Sequence, residues 1–134
     1  MVIDPKRMDQ IIEINEKDMY AVIEPYVTFA ELQTEAMKKG MTCPCPLAGA
    51  QCSVLANYSW HGAYGNSWIS GSGAQNLVAF EWVLPTGDIV KSGSISLPHA
   101  GWFWNDGPGP DLRGLLRGGS VGHAGGLGMV TKIS

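Results

Sequence analysis

The sequence predicts an α+β domain, an antiparallel sheet with flanking helices. Three observations support this: two pairs of apolar segments joined by turn residues, one amphipathic segment between the pairs, and a last strand-like segment, GMVTKIS. The order ββα, loop, ββ, loop, short α, loop, β lacks the regular alternation of strand and helix that builds a parallel sheet. We therefore expect neighbouring strands to pair antiparallel within one domain, residues 1–134.

Two hairpins are predicted from period-two patterns and turn chemistry. IIEIN places Ile12 and Ile14 on one face of a strand, and MYAVIEP, from Met19, returns as a strand that is apolar on both faces. LVAFEWVLP, from Leu77, is the strongest strand signal in the chain, and it puts Trp82 in the core. The residues TGD then form a tight turn into IVKSG, which completes the second hairpin.

A helix is predicted between the hairpins because its start and stop signals are complete. Thr28 can cap its first turn, Glu31 can reach back to the cap, and Val27 supplies the apolar residue before it. The helix should run to about Lys39, with Gly40 as the C-terminal cap. The side chains predicted to face the core are Phe29, Leu32, Ala36 and Met37.

Charge and composition exclude several classes of partner. The net charge is −3 and no block of Lys or Arg occurs, so the chain lacks the basic footprint of proteins that bind nucleic acid or anionic membranes. No apolar run approaches the roughly 18 residues of a membrane span, and the first residues lack the apolar region of a secretory signal. We therefore expect a cytoplasmic protein without a membrane span.

Cys43, Cys45 and Cys52 lie close together in the sequence. Their odd number argues against a disulfide scaffold, and neither a Cys-x-x-Cys pair nor a nearby His-x-x-x-His completes a metal site. Our interpretation is three small buried thiols beside a loop, with no metal. A cysteine-metal module is the alternative reading of this cluster.

Residues 44–73 form an uncharged segment that combines glycines and small hydroxyl residues with two tryptophans, two tyrosines and one histidine. Long irregular segments are uncommon in compact domains and tend to be functional. We predict that this segment lies against a bound cofactor, with one short helical turn near Ser53 to Tyr58. Residues 98–110 are predicted to be irregular, 112–116 a short helix, and 118–128 a second glycine-rich loop.

Taken in order, these motifs resemble the FAD-binding domain of the vanillyl-alcohol oxidase and p-cresol methylhydroxylase (PCMH-type) family, which includes the flavin subunit of glycolate oxidase. The resemblance rests on IIEIN, YAVIEPYVTFAELQTEAMKKGM, SVLANYSWHG, LVAFEWVLPTGDIVKSG, GPDLRGLLRGG and GGLGMVTKI, and it covers nearly the whole chain. Tyr26 stands where the family has a glycine, and Leu55 and Ala56 stand where it has two.

The resemblance implies the second FAD-binding subdomain of that family, whose loops cover the diphosphate, ribose and flavin ring. FAD is thus the implied cofactor, while no catalytic residue is identified. The positions that match the family's cofactor-binding motifs are Ser53, Val54, Asn57, His61, Gly62, Gly65, Gly126, Gly128, Met129 and Val130. Small residues and main-chain N–H groups at such positions suit close approach to a flavin and its phosphates.

The resemblance also implies what lies outside this chain. The family's phosphate-loop subdomain would precede Met1 and its substrate cap would follow Ser134, so we expect a partial domain that acts as a component or fragment of an enzyme. The implied reaction is hydride transfer from an alcohol, a phenol or a 2-hydroxy acid to flavin. A second polypeptide, or self-association, would supply the missing parts.

Two questions stay open from the sequence. His61 either hydrogen bonds to the flavin or moves a proton, or it is a loop histidine bonded to a carbonyl. The whole chain is alternatively a non-catalytic interaction subunit derived from a flavin domain, which Tyr26, Leu55 and Ala56 favour. Because neither a Gly-x-Ser-x-Gly elbow nor a Walker loop occurs, hydrolase and nucleotide-triphosphatase functions are disfavoured.

Overall fold

An antiparallel sheet organises the residues that the computed structural model describes, which are 2–45, 49–58, 76–105 and 128–134. The strands are β1 (Ile11–Asn15), β2 (Tyr20–Ile23), β3 (Phe80–Val83), β4 (Ile89–Ser92) and β5 (Met129–Ile133). The helical elements are α1 (Phe29–Lys38), a single turn α2 (Val54–Ala56) and a 3₁₀ turn at Ser94–Ser96. The sheet order is β1-β2-β5-β3-β4 and every pairing is antiparallel, which confirms the predicted α+β class.

Both predicted hairpins are present, and each departs from the simple pattern. The β1–β2 register shifts between Ile11 and Glu13, so that Ile12 is an extra residue in the strand. Its side chain is 50% exposed while Ile14 is partly buried, which interrupts the predicted alternation. In the second hairpin, β3 is shorter than the predicted segment at both ends: it begins at Phe80, and after Val83 the chain turns at Leu84, whose N–H donates to the Asp88 carbonyl.

The first turn of α1 has the predicted reciprocal cap. Thr28 Oγ1 accepts from Glu31 N–H at 3.3 Å, and Glu31 Oε2 accepts from Thr28 N–H at 2.8 Å. These two bonds satisfy donors that the helix itself leaves free. The local motif therefore fixes where α1 begins.

The C-terminal end of α1 is closed by a glycine in the left-handed conformation. Gly40 has φ +71°, its N–H donates to the Met37 carbonyl at 3.0 Å, and the Met41 N–H donates to the Ala36 carbonyl at 3.0 Å. This pair of bonds is a Schellman motif. The prediction that Met37 faces the core was wrong: it lies about 100° around the helix from Ala36 and is 65% exposed.

Lys39 links the end of α1 to the first hairpin. Its Nζ donates to the Ile14 carbonyl at 2.9 Å and lies 3.2 Å from Glu16 Oε1. β1 is an edge strand of the sheet, so the lysine donates a hydrogen bond to a backbone carbonyl of an edge strand.

The core lies where α1, α2 and the sheet meet. Its buried members are Ile23, Val27, Phe29, Leu32, Val54, Tyr58, Leu77, Phe80, Trp82 and Ile133. Trp82 is only 4% exposed, as predicted, and its ring centroid lies 5.0 Å from that of Phe80. The Phe29 and Tyr58 rings meet edge to face at 5.2 Å, which joins the start of α1 to the residues that follow α2.

Several predicted segments lie outside the described residues. They are the short helix at 112–116, the end of the irregular segment 98–110, the glycine-rich loop up to residue 127, and most of the long uncharged loop. Within the described ranges, no helix has both the length and the apolar character needed to cross a membrane.

We predict that Thr28→Ala lowers the free energy of unfolding by about 1 kcal/mol, because it removes the cap of α1. The matched control is Thr34→Ala in the same helix, whose hydroxyl donates only to the Ala30 carbonyl one turn back, at 2.7 Å. That change should leave stability unchanged or raise it by about 0.5 kcal/mol. Urea unfolding followed by circular dichroism measures both, and equal losses would contradict the role of the cap.

Candidate cofactor site

The described beginning of the long loop is bonded to the first turn of α1. The carbonyls of Cys52 and Ala50 accept from the N–H groups of Phe29 and Ala30 at 3.1 and 2.8 Å. These N–H groups are among those that a helix terminus would otherwise offer to an anion. The N-terminus of α1 is therefore committed to holding the loop.

Ser53 fixes the direction of the chain as it enters α2. Its hydroxyl donates to the Pro25 carbonyl at 2.7 Å and accepts from Ala56 N–H at 3.2 Å, so it caps the turn. The Ser53 hydroxyl group thus already donates one hydrogen bond and accepts one. Val54, the next predicted site residue, is 2% exposed and its side chain lies in the core cluster.

Asn57 follows α2, and its side chain has a hydrogen-bond acceptor that is not in use. Its main-chain N–H donates to the Ser53 carbonyl at 3.1 Å, which continues the helical turn. Its side-chain Oδ1 is buried and has no hydrogen-bond partner among the described residues. Since buried polar atoms are nearly always paired, this oxygen is suited to a donor on a bound molecule.

Tyr58 and the cysteines form the inner side of the same loop. Tyr58 is 6% exposed and its hydroxyl donates to the Pro44 carbonyl at 2.6 Å. Burial, together with the nearby Cys45, raises the pKa of the Cys43 thiol to about 11, and burial likewise raises the pKa of the Tyr58 hydroxyl. These groups therefore stay protonated at neutral pH and act as packing and hydrogen-bonding groups.

The three cysteines are partly buried, and their side chains pack against the core cluster. Gln33 Oε1 accepts from the Cys43 N–H at 3.0 Å and lies 3.2 Å from its sulfur. In the part of the chain that the structure describes, no group of three or more His, Cys, Asp or Glu side chains is arranged to hold a metal ion.

A cavity of about 390 Å³ lies between α1, β2 and the segments 41–44 and 76–78. Its described lining consists of uncharged residues, and it includes Val54 and Tyr58 but neither Ser53 nor Asn57. Ser53 and Asn57 are thus not part of this cavity.

β5 carries the second group of predicted site residues. Gly128 has φ +136°, and a Cβ at this position would collide with the Val83 carbonyl oxygen and lie 3.2 Å from Leu84 Cα. Met129 and Val130 pair with Val83 and Trp82 in β3. The glycine is therefore required by the close approach of β5 to the end of β3, whatever else its backbone contacts.

Glu81 holds the register of β3, β4 and β5. Its Oε1 accepts from Lys132 Nζ at 2.8 Å and lies 3.0 Å from Thr131 Oγ1, while Lys91 Nζ lies 3.6 Å from Oε2. Burial raises the pKa of this carboxyl, but the bonds from Lys132 and Thr131 and the two positive charges outweigh it and keep the pKa below its ordinary value. The β3–β5 register shifts at Glu81, where Thr131 is the extra residue of β5.

Six of the ten predicted site residues lie in the described ranges, and they form two groups. Ser53, Val54 and Asn57 share the α2 turn, and Gly128, Met129 and Val130 share the start of β5. The other four, His61, Gly62, Gly65 and Gly126, lie outside the described residues. The cofactor-binding role of all ten stays a prediction. No local sequence pattern indicates the Pro25 carbonyl or the Glu81 network, because both involve residues far apart in the chain.

Comparison with known proteins assigns the sheet, the capped helix and the loop bonded to it to a family. A family model described as "FAD binding domain" matches residues 1–93, and the chain belongs to this family, which makes FAD its cofactor.

The chain is 26% identical over 87% of its length to the 4-cresol dehydrogenase [hydroxylating] flavoprotein subunit of Pseudomonas putida, of which it covers 23%. It is 32% identical to a D-2-hydroxyglutarate dehydrogenase of Stutzerimonas stutzeri and 29% identical to glycolate oxidase subunit GlcD of Bacillus subtilis, in each case over 95% of this chain and 25% of the relative.

Solved structures agree with the sequence comparisons. The fold matches the 4-ethylphenol oxidase from Gulosibacter chungangensis with a TM-score of 0.79 and p-cresol methylhydroxylase with 0.72, each at 26% identity over 96% of this chain. Each match covers 24% of the solved chain. The PCMH-type resemblance is thereby confirmed, and the chain spans about a quarter of the length of the relatives it matches.

We predict that Gly128→Ala lowers the free energy of unfolding by roughly 3 kcal/mol, because the new methyl group meets the β3 backbone. Gly40→Ala is the matched control: its φ is also positive, but a Cβ there meets nothing within 4 Å. It should cost only about 1 kcal/mol. Thermal melts of both variants compare the two costs, and similar values would show that the left-handed backbone alone explains Gly128.

We also predict a pH-dependent effect of Glu81→Gln. Because the folded-state pKa of Glu81 is lowered, its stabilising contribution is fully present above the ordinary pKa of 4.5 and is lost as the pH falls through the lower folded value. The variant should be less stable than the natural chain at pH 7, and the difference should shrink below pH 4.5.

The control is Glu35→Gln, which breaks a surface pair with Lys38 in which the glutamate side chain is 45% exposed, against 13% for Glu81. Surface pairs contribute little, so this change should have a small effect at pH 7. A stability difference for Glu81→Gln that is constant from pH 7 to pH 3 would contradict the assigned ionic role.

Proposed function

We propose that the chain is the second FAD-binding subdomain of an FAD-linked oxidase or dehydrogenase. The observation that carries the proposal is the family match over residues 1–93 together with a fold match over 96% of the chain to 4-ethylphenol oxidase. The names of the relatives span a phenol oxidase, a cresol dehydrogenase and dehydrogenases or oxidases of hydroxy acids. The substrate class is accordingly an alcohol, a phenol or a 2-hydroxy acid.

In the proposed reaction a substrate C–H bond breaks and its hydrogen leaves with both electrons, while the substrate hydroxyl group releases its proton to water. FAD, when bound, supplies the acceptor for this hydride. The described residues contribute by positioning: Ser53 holds the loop in place, and Asn57 offers a hydrogen-bond acceptor. Phe29 and Tyr58, both buried, close the inner side of the α2 turn and keep water away from it.

We further propose that the remaining parts of the flavoprotein, on a second polypeptide or on more of the same one, cover the apolar surface that this chain exposes. Large hydrophobic side chains that are at least half exposed include Met19, Met37, Ile89, Phe103 and Trp104. The relatives are about four times as long as the matched region, so they have the additional chain for such contacts.

The second candidate is a non-catalytic interaction subunit derived from a flavin domain. It is favoured by Tyr26, which replaces the family's glycine and exposes 49% of its surface. This candidate predicts a chain that associates with a flavoprotein but does not itself contribute to flavin binding. Measuring FAD binding therefore separates the two candidates.

We predict that the flavoprotein formed by this chain together with the rest of its FAD-binding domain binds FAD, seen as the visible absorption bands of a bound flavin and as a ligand-induced rise in melting temperature. Ser53→Ala should weaken FAD binding by about tenfold, because the α2 turn loses its cap and its bond to Pro25. Ser96→Ala is the matched control, since that hydroxyl also donates to a backbone carbonyl, of Gly93 at 2.7 Å, but outside the predicted site.

The control should bind FAD like the natural chain. If the assembled flavoprotein shows no response to FAD, the proposal is overturned and the interaction subunit is favoured. Equal affinity of Ser53→Ala and the natural chain would remove the α2 turn from the cofactor site.

A further inference from the structure

The segment that follows β4 carries an apolar surface that the candidate cofactor site does not use. Residues 93–105, GSISLPHAGWFWN, contain no Asp, Glu, Lys or Arg, and we call this segment the aromatic loop. Three of its large side chains, Leu97, Phe103 and Trp104, are each about half exposed. None of the ten positions that the sequence assigns to FAD lies in this loop. The aromatic loop is therefore a separate feature of the chain.

Ser94 closes the aromatic loop at its base. The N–H of this buried residue donates to the Trp104 carbonyl at 2.8 Å, and its hydroxyl donates to the Gly101 carbonyl at 2.7 Å. The same hydroxyl accepts from the Trp104 N–H at 3.2 Å. Both main-chain polar groups of Trp104 are thus bonded to one buried serine, which fixes the backbone position of the tryptophan.

Two further positions restrict the backbone of the aromatic loop. Gly93 has φ +81°, and a Cβ there would lie 2.9 Å from Ala79 Cβ and 3.0 Å from the Trp104 carbonyl oxygen, so the base of the loop packs against the chain that enters β3. His99 has φ +64°, a conformation that residues other than glycine rarely adopt and that persists where surrounding contacts impose it. The loop is therefore constrained before any partner binds it.

An exposed tryptophan on a constrained backbone is suited to binding another protein surface. Tryptophan is among the residues whose removal costs most at the centre of protein interfaces. A backbone that is already ordered loses little conformational entropy when it binds. Because the loop has no Asp, Glu, Lys or Arg, the surface that it fits is an apolar pocket and not an acidic or basic patch.

The position of Ser134 indicates which part of the flavoprotein meets the loop. Its hydroxyl donates to the Trp102 carbonyl at 3.0 Å, and its N–H donates to the Ala79 carbonyl at 2.8 Å. The family resemblance places the substrate cap after Ser134, and the relatives are about four times as long as the matched region. Cap residues that continue from Ser134 therefore start beside the residue that precedes Phe103 and Trp104.

We propose that the aromatic loop is a docking surface for the substrate cap, which receives Trp104 in an apolar pocket. This inference rests on the proposed function, that the chain is a subdomain of an FAD-linked oxidase or dehydrogenase. It names the part of the flavoprotein that covers this surface and the residue that anchors the contact. Phe103, next to the anchor in the chain, adds apolar area to the same contact.

The first test is hydroxyl-radical footprinting of the assembled flavoprotein, which contains this chain, the rest of its FAD-binding domain and its cap. The reaction rate of each tryptophan is divided by its rate in the urea-unfolded protein. Trp82, which is 4% exposed, is the internal standard for a buried tryptophan. We expect Trp104 to react as slowly as Trp82. A Trp104 rate near half of its rate in urea, which is what its 56% exposure in this chain predicts, would overturn the inference.

The second test identifies what covers the loop. A photoreactive benzophenone side chain replaces that of Phe103 in the assembled flavoprotein, and mass spectrometry locates the cross-links that form on illumination. Cross-links to peptides of the cap support the inference. Any result without them, including cross-links only to a second copy of this chain or to the phosphate-loop subdomain, contradicts it.

The third test removes the anchor. Trp104→Ala should raise the rate at which a protease cleaves the cap peptides that meet the loop by about 30-fold, because loss of an interface tryptophan increases the population of the undocked cap. Ile12→Ala is the matched control: this large apolar side chain is also half exposed, but β1 and β4 are opposite edges of the sheet. The control should leave the cleavage rate unchanged, and equal effects of the two substitutions would rule out the anchor.

FAD binding separates this inference from the proposed function. The assembled Trp104→Ala flavoprotein should bind FAD like the natural one, because the loop lies outside the predicted cofactor positions. A natural flavoprotein that does not bind FAD would overturn the proposed function. An unprotected Trp104 in a flavoprotein that binds FAD would overturn only the docking of the cap.

Discussion

The hydrogen bonds between the first turn of α1 and residues 50–54 are the constraint on which the rest of the candidate site depends. Three elements meet there: the capped start of the helix, the chain before it at Pro25 and Val27, and the loop that returns through Ser53. Each bond satisfies a backbone or hydroxyl group that would otherwise be left unpaired at a partly buried position. Residues 50–54 are consequently held against the helix, and α2 takes its position from both.

The second group of predicted site residues is likewise held in place by contacts within the chain. β5 approaches β3 so closely at Gly128 that no side chain fits, and the Glu81 carboxylate ties the far end of the strand through Lys132 and Thr131. A strand fixed at both ends leaves little freedom to the main chain of Met129 and Val130. Rigid support of this kind is what a binding element needs if it is to meet a ligand at a defined distance.

What the sequence could predict depended on how far apart the interacting residues are. The cap of α1 was predictable because Thr28 and Glu31 are three residues apart, and both hairpins were predictable from local alternation and turn residues. The bond from Ser53 to Pro25 spans 28 positions and that from Lys132 to Glu81 spans 51, so neither leaves a local pattern. Strand shifts at Ile12 and Thr131 likewise depend on pairing across the sheet. For the site, motif resemblance selected the α2 turn, but it could not show that Ser53 is already engaged by the chain while Asn57 is not.

Lys39 has a consequence for how this chain meets other proteins. An edge strand with free backbone groups is a template onto which a foreign strand can add, and many unwanted aggregates grow in this way. Here the lysine occupies the Ile14 carbonyl, and the extra residue at Ile12 breaks the regular spacing of the same edge. A strand added to β1 would have to displace a charged group and match an irregular ladder. Growth of the sheet at the β1 edge is therefore disfavoured.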